Sequence, residues 1–531
     1  MQNAWRHITR AGSWLLLFAA LAWTLWFVFA GLGNIQDPLY WLNKYHTLEG
    51  GWMAAGTILT GGACARLFGA ELLPLRLLNW LCVVAAIALP YCCLLTHDER
   101  RNNIHWVALT FALMGYGAFQ EFSPGTLSVL LLSALWVAVS IQPSAFSSQL
   151  SVFSAVLLGL AVAVRFPNIL ALLFLIPIWR KRSLWCVPVA AITAGVVYLL
   201  GYWLITPASV HVAMDGGHHL LPMLSKLWTN GALLAACVAG WLGIWAIGRY
   251  AEQRLPQSWQ RWGLVACGVL VGAIVVYVVS FLIKPTRWYN TELTYLISAC
   301  CVALSAVTIQ HSAIGNWQLI FGLATLSVAT LGTDTGWLKL FPAVLCILPV
   351  AAVRLRPQMR RYLWPVLLGL TAIVMVRFST NSIGKCDLTK TETWATVSPY
   401  RGIRIRSAEN NWMEQVQKDY DSIQSTLAAS HSPSAVISVG QQMHRIRALT
   451  GCQTALYNEF WSNIYDSVYT AKYRSIIQDT HPVVFCSYSP QFKTKPQYED
   501  QHSAFENMLR AEGYTSLDRS QYKYMIYLPP Q

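Results

Sequence analysis

The sequence predicts a polytopic α-helical membrane protein with an extracytoplasmic α/β domain at its C-terminus. Hydrophobic residues make up 55% of the 531 residues and charged residues only 12%, which is about half the charged fraction of an ordinary soluble domain. Apolar stretches long enough to cross a bilayer recur from Ser13 to Phe378. After Phe378 charged residues of both signs become frequent and no stretch is long enough to span. Two domains are therefore predicted, a membrane domain over residues 1–378 and a soluble domain over residues 379–531.

About thirteen transmembrane helices are predicted from the apolar stretches. Even numbers of these spans separate the basic clusters along the chain, and cytoplasmic loops are the ones enriched in Lys and Arg. The chain is therefore expected to begin in the cytoplasm and to end outside, and its compact loops indicate a bacterial plasma membrane. The predicted spans are residues 14–31, 75–96, 104–120, 126–141, 152–164, 168–179, 184–205, 228–248, 263–283, 293–309, 317–331, 337–353 and 363–378.

The stretches on either side of Arg165 are too short for two independent spans of ~20 residues. One interpretation is a hairpin of short helices whose tip, VRFPN, lies below the outer membrane surface. The alternative is one long helix broken at Pro167, which would invert the orientation of every later span. The basic sequence RKRS at Arg180 favours the hairpin, because it is typical of a cytoplasmic loop.

The net charge of +14 does not indicate a nucleic-acid-binding protein, because most of the excess lies in short loops between spans. The chain is expected to interact with membrane lipids and not with nucleic acid. Most of the thirteen cysteines lie in or beside predicted spans, where Cys packs as a small hydrophobe. Cys386, Cys452 and Cys486 lie in the C-terminal domain, and they allow one disulfide and one free thiol without specifying the pair.

Ionisable side chains in the predicted outer loops are the main candidates for function, because charged groups at membrane depth or in tight loops are costly. Acids and cations both come from several separate loops, so a site could bind phosphate through its cations and activate a nucleophile through a carboxylate. The candidates are Asp37, Lys44, His46, Glu121, Arg165, Lys284, Arg287, Tyr289 and Asp334.

The first outer loop and its neighbours contain patterns found in a known superfamily. QDPLYW begins at Gln36, ARLFGAELLPLRLLNWL leads into the second span, and QEFSPGT and VAVRFPN follow. These stretches resemble GT-C glycosyltransferases, as in protein O-mannosyltransferases and lipid A aminoarabinose transferases. The resemblance covers most of residues 30–180 and the predicted topology. Many members have two adjacent acids in the first loop, whereas here Gln36 precedes Asp37 and Pro38 follows it, which weakens the case for a metal site there.

The resemblance implies transfer of a sugar from a polyprenyl-phosphate carrier to a glycan, lipid or protein acceptor at the outer face. Asp37 is then expected to accept the proton of the acceptor hydroxyl. Arg165, Lys284 and Arg287 are expected to bind the donor phosphate. Glu121 is expected to act in catalysis by positioning either the acceptor or a divalent cation, and no other cofactor is implied. The expected substrate-binding residues are Tyr40, Lys44, His46, Tyr289 and Asp334.

The main alternative is a transporter or flippase for a lipid-linked or amphipathic substrate. Such proteins often contain repeated halves with interrupted helices at matching positions, and their binding sites lie near the bilayer midplane. No internal repeat is evident, and the candidate charges gather on one side of the membrane. A glycan ligase or polymerase is a second possibility, although such enzymes typically have their large outer domain between spans. A third is an inactive scaffold whose C-terminal domain binds a partner.

Overall fold

The computed structural model is mostly helical up to residue 380, and a small α/β region follows. The side chains of some residues in its helices and strands, Asp37 among them, lie outside the description. The described residues are 2–31, 36–50, 54–114, 122–141, 147–179, 185–207, 220–254, 291–311, 316–331, 340–355, 357–380, 388–430, 436–440, 443–454, 467–487, 496–522 and 524–530.

The first part of the chain consists of apolar helices and short connections. Three of the described helices are long and apolar enough to span a membrane, over Ala11–Phe29, Leu72–Leu94 and Cys186–Leu204. The described helices do not establish the predicted count of about thirteen spans. The helices are Gln2–Phe29 (α1), Gln36–Thr47 (α2), Ala55–Phe68 (α3), Leu72–Leu94 (α4), His97–Asn102 (α5), Ile104–Met114 (α6), Pro124–Ser140 (α7), Ser147–Val164 (α8), Leu172–Trp179 (α9), Cys186–Leu204 (α10), Leu220–Arg254 (α11), Thr291–His311 (α12), Asn316–Ser327 (α13), Leu340–Leu345 (α14), Leu348–Arg354 (α15) and Pro357–Thr380 (α16).

Two helices, α2 and α3, fill the loop between the first two long apolar helices, here called the first loop (residues 32–71). The α2 helix buries one face, and α3 approaches that face closely because it presents glycines. A Cβ atom on Gly61 would lie 2.5 Å from the Tyr45 ring. On its other side, Gly56 lies against α8, where a Cβ atom would be 3.1 Å from the backbone nitrogen of Val164. The α3 helix is thus wedged between α2 and the end of α8.

The helix breaks at Arg165, as both interpretations of the sequence require. The α8 helix ends at Val164, and a 3-10 helix over Phe166–Ala171 precedes α9. The Asn168 side chain donates to the Ala161 carbonyl at 2.8 Å and to the Ser128 hydroxyl at 2.8 Å. The 3-10 helix therefore packs back against the last turns of α8.

The C-terminal α/β region is a five-stranded sheet with helices on both faces. Its strands are Val436–Gly440 (β5), Gln453–Thr454 (β6), Val483–Ser487 (β7), Thr515–Arg519 (β8) and Tyr524–Leu528 (β9). Two short strand pairs precede them in the chain, Glu49–Gly50 (β1) with Thr206–Pro207 (β2) and Thr393–Trp394 (β3) with Arg404–Ile405 (β4). The strand order in the sheet is β6-β5-β7-β9-β8, in which β5, β6 and β7 are parallel and β9 is antiparallel to its neighbours. Its helices are Ser407–Ser430 (α17), Met443–Thr450 (α18), Ser467–Thr480 (α19) and Pro496–Ala511 (α20).

Alternation along the strands sets the two faces of this sheet. On β7, Val483 and Phe485 pack in the hydrophobic cluster that contains α17 and α18. Val484 and Cys486 pack in the opposite cluster, with α19 and α20. This is the period-2 pattern of a strand that is buried on both faces.

The C-terminal α/β region packs against the first loop and the ends of two long helices. The Gly31 N–H donates to the Arg404 carbonyl at 2.8 Å, and the Leu72 N–H donates to the Pro399 carbonyl at 2.9 Å. Leu39 and Leu42 of α2 belong to the same buried cluster as α17 and α18. The first loop therefore lies between the apolar helices and the C-terminal α/β region.

Candidate functional site

The α2 helix holds a buried cation beside two aromatic rings. Lys44 is only 7% exposed, and its Nζ lies 4.1 Å from the centre of the Tyr40 ring and 5.3 Å from that of Trp41. Burial lowers the pKa of Lys44 to about 8, and the negative charge of Glu49 opposes this shift. Aromatic faces attract a cation. The two rings therefore hold the ammonium group in place and replace part of the water that it loses on burial. His46, on the same helix, is exposed.

Asp37 is the second residue of α2, so its backbone lies at the N-terminus of this helix. The structure leaves its side chain undescribed, and its predicted role as base stays a prediction. The α2 helix is held in place by Tyr45, whose hydroxyl donates to the Phe122 carbonyl at 2.8 Å. Phe122 directly follows Glu121, which lies outside the described residues. The first loop thus contacts the backbone next to the second predicted acid.

Arg165 is buried and is bound by backbone carbonyls. Its guanidinium donates to the Ala329 carbonyl at 2.5 Å and to the Leu331 carbonyl. Leu331 immediately precedes the GTDTG motif. That motif contains Asp334 and lies outside the described part of the chain. Both terminal nitrogens of Arg165 therefore connect the end of α8 with the end of the 3-10 helix Val328–Thr330. The end of α8 is also bound by α3, because Thr57 donates to the Val164 carbonyl at 3.2 Å.

The other predicted site residues fall in segments that the structure leaves undescribed. These are Lys284, Arg287 and Tyr289, which stay predictions together with Glu121 and Asp334. Among the described residues, no group of three or more His, Cys, Asp and Glu side chains could hold a metal ion. Cys452 and Cys486 are buried free thiols, so neither forms the disulfide that the sequence allowed, and Cys386 is outside the described residues.

Three charged residues that sequence reasoning did not select lie at the first loop. Arg76 of α4 is 1% exposed and donates to the Gly31 carbonyl at 2.9 Å and to the Val28 carbonyl at 3.2 Å. Glu49 forms an ion pair with Arg447 of α18. The signal for Arg76 was present in the sequence, because an arginine within the apolar run LPLRLLNWL is costly without a partner. Its partners are the carbonyls where the first long helix ends.

Comparison with known proteins gives matches among solved structures only. No protein-family model and no curated protein sequence matches the chain. The crystal structure of ArnT from Cupriavidus metallidurans in the apo state is 12% identical, with a TM-score of 0.45, over 98% of this chain and 100% of that one. The crystal structure of the same protein bound to undecaprenyl phosphate is 13% identical, with a TM-score of 0.43, over 100% of both chains. Both matches extend over nearly the full length of this chain, at low sequence identity.

Proposed function

We propose that this chain is a membrane glycosyltransferase that moves a sugar from a polyprenyl-phosphate carrier to an acceptor at the outer face. The observation that supports it best is the way in which the first loop is held. Its helix α2 begins at Gln36 and Asp37 and contacts Phe122 through Tyr45. Its helix α3 contacts Val164, the neighbour of Arg165. Segments that contain the predicted acids and cations, and that are far apart in sequence, therefore meet around the first loop.

In the proposed reaction, an acceptor hydroxyl attacks the anomeric carbon of the sugar. The new bond forms between that carbon and the acceptor oxygen, while the bond to the phosphate oxygen breaks and its electron pair leaves with the lipid phosphate. Asp37 accepts the proton of the hydroxyl as its general base. Fixed cations stabilise the negative charge that develops on the phosphate, and we assign this role to Lys284 and Arg287.

Arg165 contributes to the same site from a fixed position. Its guanidinium holds the Ala329 and Leu331 carbonyls, and a guanidinium remains charged at any physiological pH. It therefore adds positive potential near the donor phosphate and fixes Leu331, which precedes the segment with Asp334, to which we assign a substrate contact. Tyr40, Lys44, His46 and Tyr289 complete the proposed substrate contacts, and Glu121 positions the acceptor or a divalent cation.

The arrangement in the membrane is part of the proposal. About thirteen helices within residues 1–378 form the membrane domain, with the N-terminus in the cytoplasm of a bacterial cell. Residues 379–531 form the extracytoplasmic domain. On this topology the first loop and the C-terminal α/β region lie on the outer side together, in agreement with the ion pair between Glu49 and Arg447.

The test uses purified full-length protein in liposomes with a panel of radiolabelled polyprenyl-phosphate sugars. Release of the lipid phosphate and transfer of labelled sugar to an added membrane or glycan extract are both measured, with protein-free liposomes as the control. Transfer with one donor supports the proposal. Movement of intact donor across the bilayer, with the sugar–phosphate bond unbroken, would replace it by the flippase function.

A further inference from the structure

The C-terminal sheet has a topological switch point between β5 and β7. The parallel strands β5 and β7 are neighbours. The chain leaves β5 for α18 on one face and leaves β7 for α20 on the other. In open α/β sheets, ligands bind in the crevice outside the carboxyl ends of two such strands. Gly440 and Ser487 end the two strands here.

Arg445 is located at this crevice. It is the third residue of α18, the helix that follows β5. It is 6% exposed, and its guanidinium lies 4.2 Å from the centre of the Trp412 ring and 5.8 Å from that of Tyr400. Cation–π contacts with these two rings help to hold the planar group in place.

Two nitrogens of the Arg445 guanidinium lack hydrogen-bond partners. These are Nε and Nη2, which are buried and have no partner in the described part of the chain. Tyr400 is also buried, and its hydroxyl lies close enough to the guanidinium to interact with it. Burial raises the pKa of Tyr400 to about 12, and the positive charges of Arg445 and Arg76 oppose the shift. A buried charge without a partner is costly, so an anion that supplied the missing acceptor would be bound favourably.

The helix with Arg445 also forms the contact with the first loop. Ile446 and Leu449 of α18 pack in one cluster with Leu39 and Leu42 of α2. The next arginine of the helix, Arg447, pairs with Glu49 of the first loop. Its position beside α2 places Arg445 next to the helix in which Asp37 lies, rather than on a remote surface of the C-terminal α/β region.

We propose that Arg445 binds a phosphate group of a ligand, at the carboxyl ends of β5 and β7 beside the first loop. The forked guanidinium provides two parallel donors, which match two phosphate oxygens, and the Tyr400 hydroxyl adds a third donor. The binding itself stands without the proposed function, and only the source of the phosphate rests on it. That source is either the lipid carrier or a phosphorylated acceptor.

Direct binding separates the two sources. Full-length protein in detergent is titrated with radiolabelled inorganic phosphate, and unlabelled polyprenyl phosphate and a water-soluble sugar phosphate serve as competitors. Saturable phosphate binding is expected in the wild type. Competition by the lipid alone would identify the carrier as the ligand, and competition by the sugar phosphate alone would identify the acceptor. The inference would be overturned if the protein bound neither inorganic phosphate nor, when each is tested directly, the polyprenyl phosphate or the sugar phosphate.

Matched variants assign the binding to this residue. Arg445→Gln is expected to weaken phosphate binding at least tenfold, as the loss of a charged hydrogen bond implies. Arg474→Gln removes the same charge from an exposed position on α19 and is expected to bind as the wild type does. Arg445→Lys, which keeps the charge without the fork, replaces the glutamine variant if that one does not fold, and is expected to bind several-fold more weakly. Equal affinity in a folded Arg445 variant would mean that the residue only packs between the rings. Sugar transfer is measured in the same preparations, so a failure of the proposed function is seen separately.

Discussion

Glu49 and Arg447 form an ion pair between the first loop and the C-terminal α/β region, with 3.4 Å between Oε2 and Nη2. The glutamate side chain is 28% exposed and the arginine side chain 12% exposed, so the pair is partly shielded from water. Glu49 begins β1, which pairs with β2 at the C-terminal end of α10. The pair therefore connects three parts of the chain that are far apart in sequence.

A double-mutant cycle measures this connection. Glu49→Gln, Arg447→Gln and the double variant are unfolded with denaturant in detergent, and their free energies of unfolding are compared. The coupling energy is expected to be about 0.5–1 kcal/mol, the upper part of the range for partly exposed pairs. Strictly additive effects would show that the two charges do not stabilise the contact.

Gly61 is required for the packing of α3 on α2. Gly61→Ala would place a methyl group 2.5 Å from the Tyr45 ring, and such overpacking costs about 1–3 kcal/mol. The variant is expected to lower the unfolding temperature measurably. Gly195→Ala is the matched control, because a Cβ atom there has no heavy atom within 4 Å. Equal unfolding temperatures for both variants would contradict the close approach of the two helices.

The buried ammonium of Lys44 makes stability depend on pH. Its pKa falls from 10.5 to about 8 on folding, so above about pH 8 the unfolded chain binds a proton that the folded chain has released. Stability from this group therefore rises between pH 8 and pH 10, on the order of 2 kcal/mol, and is constant below pH 8. The difference in unfolding free energy between wild type and Lys44→Met is expected to show this rise. Lys390→Met, at an exposed position, should show none, and a flat profile for Lys44→Met relative to wild type would mean that the amine is solvated.

The structural role of Arg165 and its proposed electrostatic role are tested together by Arg165→Lys. Lysine keeps the charge but cannot bridge the Ala329 and Leu331 carbonyls with a planar fork. The variant is expected to lose about 1.5–3 kcal/mol of unfolding free energy together with most of its transferase activity, whereas Arg401→Lys, at an exposed position, should change neither. Wild-type stability with lost activity would instead indicate that the guanidinium contacts substrate directly.

The long apolar helices and several strands of the C-terminal α/β region could be predicted from the sequence. Continuous apolar runs indicate α1, α4 and α10, and the short β-branched runs SAVISVG and PVVFCSYS, bounded by Gly, Pro and Ser, indicate β5 and β7. The strand β6 was missed because it has only two residues and depends on its pairing with β5 for its conformation. The strand β8, with mostly exposed polar residues, has no buried face that would produce a pattern.

The candidate site was harder to predict from the sequence, because it depends on packing between parts of the chain that are far apart in sequence. The helices of the first loop are short, and α3 contains glycines that helix propensity disfavours, although its packing against Tyr45 requires one of them. Arg165 was found from the cost of an arginine at membrane depth, but its carbonyl partners are 164 and 166 residues away in sequence. Arg445 had no sequence signal, because its importance depends on burial between Trp412 and Tyr400.

The most direct test of the central claim is donor turnover by Asp37→Asn. Release of polyprenyl phosphate from a radiolabelled donor is compared among the wild type, this variant and Asp421→Asn, which removes an exposed carboxylate of the C-terminal α/β region. Because a general base typically contributes 10²–10⁴-fold, turnover by Asp37→Asn is expected to fall at least about a hundredfold, with unchanged unfolding temperature and unchanged turnover by Asp421→Asn. Turnover by a folded Asp37→Asn equal to that of the wild type would contradict the account and remove Asp37 from the mechanism.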